Sequence, residues 1–208
     1  MSSTATIQPR GRARPARGNE RRLALLDATL EVIGAEGVDA VTHRRVADVA
    51  GVPLGSTTYW FSSRQAMLTE ALEHFARADI ANARERFRRV LAGRPSRRRL
   101  VDEFVAYLMP QLGPGRANTI AQYALLEQAS REPELEPVVR DWTEAWQAAL
   151  AEVFTELGAR RPELEARMFL AMLDGLSLVQ LAAPDDDFET KVLRPALDTW
   201  FARLGGGA

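Results

Sequence analysis

From Glu20 onward the apolar positions recur at helical spacing, and no stretch shows the two-residue alternation of a strand. Leu23, Leu26, Leu30 and Ile33 form one stripe that Gly34 and Gly37 close, which predicts a first helix over about 20–35. Thr42 can cap a short helix over 43–50 whose inner face is Val46, Val49 and Ala50, and Gly51 ends it where a left-handed residue is cheap. Pro53, with its fixed φ and missing donor, suits the first turn of a second short helix running to Trp60 or Phe61. Ser62 followed by Gln65 has capping-box spacing and starts a long helix, 63–91, with Leu68, Leu72, Phe75 and Ile80 on one side.

Beyond a turn at Arg94 and Pro95, five more helices are predicted at about 97–111, 116–130, 136–157, 163–182 and 187–204. The segment 163–182 is apolar nearly all round. The last helix carries Leu193, Leu197, Trp200 and Leu204 at heptad-like spacing, with Pro195 set to kink it or fix its start. Such helices need cover on more than one side, from the other helices or from a second subunit. The fold class is therefore all-α. An unpatterned arm over 1–19, expected to be disordered, precedes a three-helix unit over 20–66 and a helical bundle over 67–208.

A chain of 208 residues with 46% hydrophobic content can bury a substantial core. The net charge of −1 changes the picture only when divided: residues 1–64 hold nine arginines and six carboxylates, whereas residues 65–208 hold eighteen basic and twenty-two acidic groups. The positive excess sits at the N-terminal end, where Arg10, Arg12, Arg14 and Arg17 lie in the arm. Cysteine is absent, which removes thiolate metal sites and thiol nucleophiles, and the two histidines, His43 and His74, stand apart. No metal, cofactor or catalytic constellation is expected, and an enzyme is the least favoured class. The arm has no apolar stretch of the kind a secretory signal carries. The run Met168–Ala183 is shorter than the ~20 residues of a membrane span, so a cytoplasmic protein without a membrane partner is expected.

Residues 42–61 read as two short helices joined by a tight turn at Gly51, the layout of a helix-turn-helix. Over about Arg21 to Phe75 the chain resembles the DNA-binding domain of TetR-family regulators, in Gly37, Thr42, Val46-Ala47, Ala50-Gly51-Val52, Gly55, Trp60-Phe61 and Arg64. It departs where the family usually carries a recognition-helix tyrosine: Thr58 stands there and Tyr59 follows, so that phosphate contact falls to one or the other. The second short helix offers Leu54, Gly55, Ser56, Thr57, Thr58 and Tyr59, small and hydroxyl-bearing groups suited to base edges but without a strong bidentate reader. Thr42, His43, Arg44, Arg45, Tyr59 and Arg64 are the candidates for phosphates, and the arm's arginines for the adjacent minor groove. Trp60 and Phe61 read as core.

The C-terminal helices concentrate aromatics and methionine, the lining of pockets between helices. Phe104, Tyr107, Gln122, Tyr123, Trp142, Trp146, Met172 and Asp174 are the candidate ligand-binding residues. Asp174 stands out, because a carboxylate in an apolar helix must pair with an arginine, accept hydrogen bonds or meet a ligand. The resemblance implies an effector site in this domain and dimerisation through the last two helices, which maps onto Met168, Leu176, Val179, Leu193, Leu197 and Trp200. It thus implies a homodimer that binds double-stranded operator DNA and a small molecule of apolar or aromatic character. A repressor released by that effector is the leading reading; a ligand-responsive activator is the alternative, and the long helix 63–91 is the expected lever between the sites.

Overall fold

The computed structural model describes residues 14–93 and 96–204 and, among them, nine α-helices. They are α1 Arg14–Glu36, α2 His43–Val49, α3 Leu54–Trp60, α4 Arg64–Leu91 and α5 Arg97–Leu112, followed by α6 Arg116–Ala129, α7 Glu136–Glu156, α8 Pro162–Ala182 and α9 Arg194–Leu204. No strand occurs among the described residues. Every predicted helix is present, and the differences lie at the ends.

The first helix begins at Arg14, inside the stretch expected to be a disordered arm. A tertiary contact explains the extension: a side chain added at Gly18 would lie 3.7 Å from the Trp60 ring, so this turn packs on the helix-turn-helix even without an apolar stripe. Arg10 and Arg12, with the rest of residues 1–13, lie outside the described residues. Thr42 caps α2 as expected, its Oγ1 accepting from the Arg45 N–H at 3.1 Å, and Gly51 takes φ +63° after it. Pro53 precedes α3 instead of opening it, in extended backbone (φ −58°, ψ 143°) with its carbonyl accepting from the Ser56 N–H at 2.8 Å.

The cap of α4 is Ser63, not Ser62: Ser63 Oγ accepts from the Ala66 N–H at 3.1 Å. The predicted capping box is not made, since Gln65 turns inward and its Nε2 is buried without a partner. At the other end of the chain, Pro195 sets a start: a π-type stretch, Phe188–Leu193, gives way to α9 one residue before it, where the missing N–H costs least.

Two cores result. The first joins α1, α2 and the start of α4 through Leu25, Leu26, Ile33, Val46, Phe61 and Leu68, and it also takes in Ala121 and Leu125 of α6. Gly34, which the sequence pattern made a terminator, lies within α1 and is the point of closest approach to α6: a Cβ there would sit 2.1 Å from the Ala117 carbonyl oxygen. The second core is the bundle of α4, α5, α7, α8 and α9, dominated by interlocked rings such as Phe104–Phe169 at 4.8 Å and Phe169–Trp200 at 5.4 Å. No helix among the described residues is long and apolar enough to cross a membrane.

Candidate nucleic-acid interface and interior cavity

α3 is too short to stand alone and is held by its neighbours. Thr57 is fully buried, its Oγ1 donating to the Leu54 carbonyl at 2.8 Å and approaching the His43 carbonyl at 3.3 Å, so it ties α3 to α2. It cannot reach a base edge from there, which removes it from the candidate readers. The outer surface of α3 is formed by Leu54, Gly55, Thr58 and Tyr59, with Ser56 half-buried. Tyr59 is 77% exposed and stacks edge-on against Trp60 at 5.0 Å, an unusual position for an aromatic ring without an occupant to cover it. Phe61 is buried as expected, whereas Trp60 is half-buried against the first core. A shallow groove between Arg21 and Tyr59 continues this face, and Arg21 is a basic residue the sequence reading passed over because it lies in α1.

The expected phosphate contacts divide. Arg44 is exposed, Thr42 is exposed at its cap, and His43 is half-buried with Nδ1 unpartnered. Arg45 instead forks onto Glu36, its Nε 2.9 and 3.1 Å from the two carboxylate oxygens. That pair holds the Glu36 carboxyl below its ordinary range and raises the guanidinium. Arg64 turns inward as well, its Nη2 donating to the Val38 carbonyl at 2.8 Å and its Nε to Val41 at 3.2 Å, with Asp39 at 3.6 Å and Glu132 at 4.0 Å. It staples the α1–α2 connection to α4 and to the turn after α6, so the phosphate role expected for Arg64 is replaced by a scaffolding one. The Val41 carbonyl, the Val38 carbonyl, which also accepts from the Val41 N–H at 3.1 Å, and two carboxylates hold its charge on the protein side.

The second site is a cavity of about 140 Å³ within the bundle, walled by α4 to α8. Of the eight candidates, Tyr107, Gln122, Tyr123, Trp142, Trp146 and Asp174 line it. Phe104 does not: it is buried among Phe87, Phe169 and Phe201. Met172 does not either, being packed half-buried against the second core.

The residue that organises the cavity is Asp79 of α4, which the sequence reading missed. Its Oδ1 accepts from Tyr107 Oη at 2.6 Å, and its Oδ2 accepts from Trp146 Nε1 at 2.6 Å and Trp142 Nε1 at 3.1 Å. Burial pushes the Asp79 carboxyl up, against the pull of those three donors. A signal was available: Asp79 falls in the buried stripe between Ala76 and Ala83, the same anomaly that singled out Asp174. Asp174 accepts from Tyr123 Oη at 3.1 Å and has no arginine. Burial raises its carboxyl too, Tyr123 opposes this, and the charge of Asp79 adds to it. Both tyrosines are raised well above the usual phenol range, burial first and the neighbouring carboxylates second. Ser177, also lining the cavity, is buried with its Oγ unpartnered.

A third surface is apolar. On α8, Met168 and Val179 are exposed together with Leu164 and Leu178, and Leu176 is half-buried. Leu193, Leu197 and Trp200 are not part of it. They are buried in the chain's own second core, because α9 has one apolar stripe and the bundle uses it.

The comparisons with known proteins agree with this layout. Residues 25–71 match the family model described as bacterial regulatory proteins, tetR family, and residues 95–204 match that of the tetracyclin repressor-like C-terminal domain. The multidrug binding protein EbrR, solved with imidazole, is 34% identical with a TM-score of 0.61, over 93% of this chain and 97% of its own. A TetR-family member of Streptomyces coelicolor is 33% identical with a TM-score of 0.60, covering 89% and 98%. The nicotine-responsive transcriptional repressor HdnoR of Paenarthrobacter nicotinovorans is 23% identical over 195 residues, 89% of this chain and 96% of that protein. With both of its domains matched, the chain belongs to the TetR family, a family of regulators and not enzymes, as a DNA-binding transcriptional regulator.

Proposed function

We propose that the protein is a repressor that binds a palindromic operator as a homodimer and leaves it when a small molecule fills the bundle cavity. The observation that carries this reading is the double position of α6. Thr119, Gln122, Tyr123 and Leu126 face the cavity, while Ala121 and Leu125 belong to the core of the helix-turn-helix unit, and Gly34 of α1 packs on the α6 backbone at Ala117. A ligand that shifts α6 shifts α1 with it, because packed cores do not deform continuously. α4 gives a parallel route from Asp79 to the Arg64 staple.

Thr42, His43, Arg44, Leu54, Gly55, Ser56, Thr58 and Tyr59 form the DNA-reading surface in this account, with hydroxyl, methyl and shape readout in place of bidentate arginine contacts. The exposed strip on α8 supports a two-fold dimer that sets the paired α3 helices about 34–36 Å apart for successive major grooves. The relatives support the regulatory role, HdnoR being a nicotine-responsive repressor and EbrR having been crystallised with ethidium and with proflavin.

The test is a footprint of the purified protein on DNA flanking its own gene and on fragments enriched from random sequence. A protected near-palindrome at moderate salt with competitor DNA, lost in Tyr59→Ala, is expected; binding without sequence preference contradicts the reading. Sedimentation of Val179→Glu tests the dimer: the parent sediments as a dimer and the variant as a monomer.

A further inference from the structure

We propose that the cavity is built for a small protonated amine, its N–H groups held by Asp174 and Ser177 and its apolar body set against the tryptophan and leucine walls. This rests on the reading of the cavity as the effector site and names the chemical class that fits it.

The cavity holds charge without a countercharge. All of the hydrogen bonds to Asp79 come from donors, two of them indole N–H groups that can do nothing but donate. That arrangement suits the ionised carboxylate, since a neutral acid would need an acceptor for its own proton. Among the described residues, Asp174 accepts only from the Tyr123 hydroxyl, and its Oδ2 has no hydrogen-bond partner. Two carboxylates thus face one small space.

Among the described residues, no cation pairs with either. The titratable groups that face the cavity are Asp79 from α4, Tyr107 from α5, Tyr123 from α6 and Asp174 from α8; α7 contributes indoles and a hydroxyl. The arginines on adjoining turns form no ion pair with either carboxylate: Arg86 is 3.6 Å from Glu103 and its guanidinium 6.0 Å from the centre of the Tyr107 ring, and Arg116 donates to the Leu181 carbonyl at 2.8 Å. A buried negative charge left uncompensated is costly, and folded chains keep one where something arrives to compensate it.

The rest of the lining selects among cations. Ser177 Oγ, buried one turn from Asp174 near the Tyr123 hydroxyl but in no well-formed hydrogen bond, offers an acceptor for a second N–H, which favours a protonated amine over a fully substituted ammonium or a metal ion. Trp142, Trp146 and Tyr107 present ring surface, to which cations are attracted. Leu170 and Leu173 close the apolar side. A cavity of about 140 Å³ matches a single ring with a short arm, since an engineered cavity of roughly 150 Å³ takes up benzene.

The experiment is calorimetric titration of the full-length protein with benzylamine, phenethylamine and cyclohexylamine, each beside its alcohol and carboxylate counterpart, with operator release followed in parallel. At least one amine binds, and its neutral and anionic counterparts bind at least tenfold more weakly. Asp174→Asn loses at least tenfold in amine affinity while the ligand-free protein melts no lower than the parent, because the substitution removes an unpaired charge and keeps an acceptor for Tyr123. Ser177→Ala, which takes away only an unpartnered hydroxyl, weakens the amine several-fold. Binding of an alcohol or acid as tight as its amine, no binding by any amine, or full affinity in Asp174→Asn overturns the proposal. A neutral compound that binds and releases the operator overturns the amine and leaves the effector reading standing. An amine that binds through Asp174 without changing operator affinity does the reverse.

Discussion

The two polar sites of this molecule use charge in opposite ways. At the helix-turn-helix, Arg45 and Arg64 are paired with Glu36, Asp39, Glu132 and backbone carbonyls, and the outward surface of α3 is left to hydroxyls, a glycine, a leucine and a phenol. In the cavity, Asp79 and Asp174 are set among donors with no countercharge at all. One site uses two of its arginines to hold α1, α2 and α4 together and leaves the outward surface of α3 neutral. The other keeps charge unpaired inside the fold. On the proposed reading the difference follows from what each partner brings: duplex DNA supplies phosphates that Arg44 and Arg21 can meet at the surface, whereas a buried site can gain from charge only when its ligand carries the opposite sign.

The hinge between these regions gives the largest expected effect. Gly34→Ala places a methyl against the Ala117 carbonyl, at a distance no side chain occupies, and must push α1 away from α6. The overpacking costs about 3 kcal/mol, lowering the melting temperature on the order of 10 °C. In calorimetry, a variant that melts like the parent would show that α1 and α6 are not in this contact.

The division among the arginines gives the next effect. Arg44→Ala reduces the slope of log affinity against log salt by about 0.9, the signature of one lost phosphate contact. Arg64→Ala leaves that slope unchanged and lowers stability by about 1 kcal/mol, a charged-donor hydrogen-bond loss discounted for a guanidinium that is 35% exposed. Equal slope changes in the two variants would return Arg64 to the phosphates and erase the contrast between the sites.

The smallest effect is on pH dependence. Burial raises the Asp79 and Asp174 carboxyls above the ordinary value of 3.8, so the folded chain holds these protons more tightly than the unfolded chain does. Their contribution to stability is fully present below 3.8 and is lost as pH rises through the raised values. Tyr107 and Tyr123, shifted upward, stay neutral through this window. Melting temperature over the same range therefore depends less on pH in Asp174→Asn than in the parent, and curves that superimpose would mean that Asp174 does not titrate there.

What could be read from the sequence follows the same divide. The order of the helices, the Thr42 cap and the Gly51 turn depend on neighbours within a few residues and follow the pattern, while α1 starts earlier and runs past Gly34 because it packs on Trp60 and α6. Ser62 and Ser63 compete for one cap over a single residue, and the choice rests on which way Gln65 turns. Thr57, Arg45 and Arg64 were candidates for DNA contact, but where their side chains point is decided by groups as near as Leu54 and as far along the chain as Glu132. The cavity is assembled from five helices: its aromatics could be guessed from composition, while Asp79 was passed over although it sits in the buried stripe of α4. The Leu193, Leu197 and Trp200 stripe left open whether other helices or a second subunit cover it, because periodicity reports that a face is covered and not by what; the resemblance pointed to the subunit, and these side chains are buried in the chain's own core.

The claim that joins the two regions is that α6 couples them, and hydrogen–deuterium exchange of the free and operator-bound protein tests it without any ligand. The account predicts that operator binding changes the protection of 116–129 in α6 along with that of α1 and α3, while α9 is unaffected. Changes confined to residues 14–61, with α6 exchanging identically in both states, would contradict it.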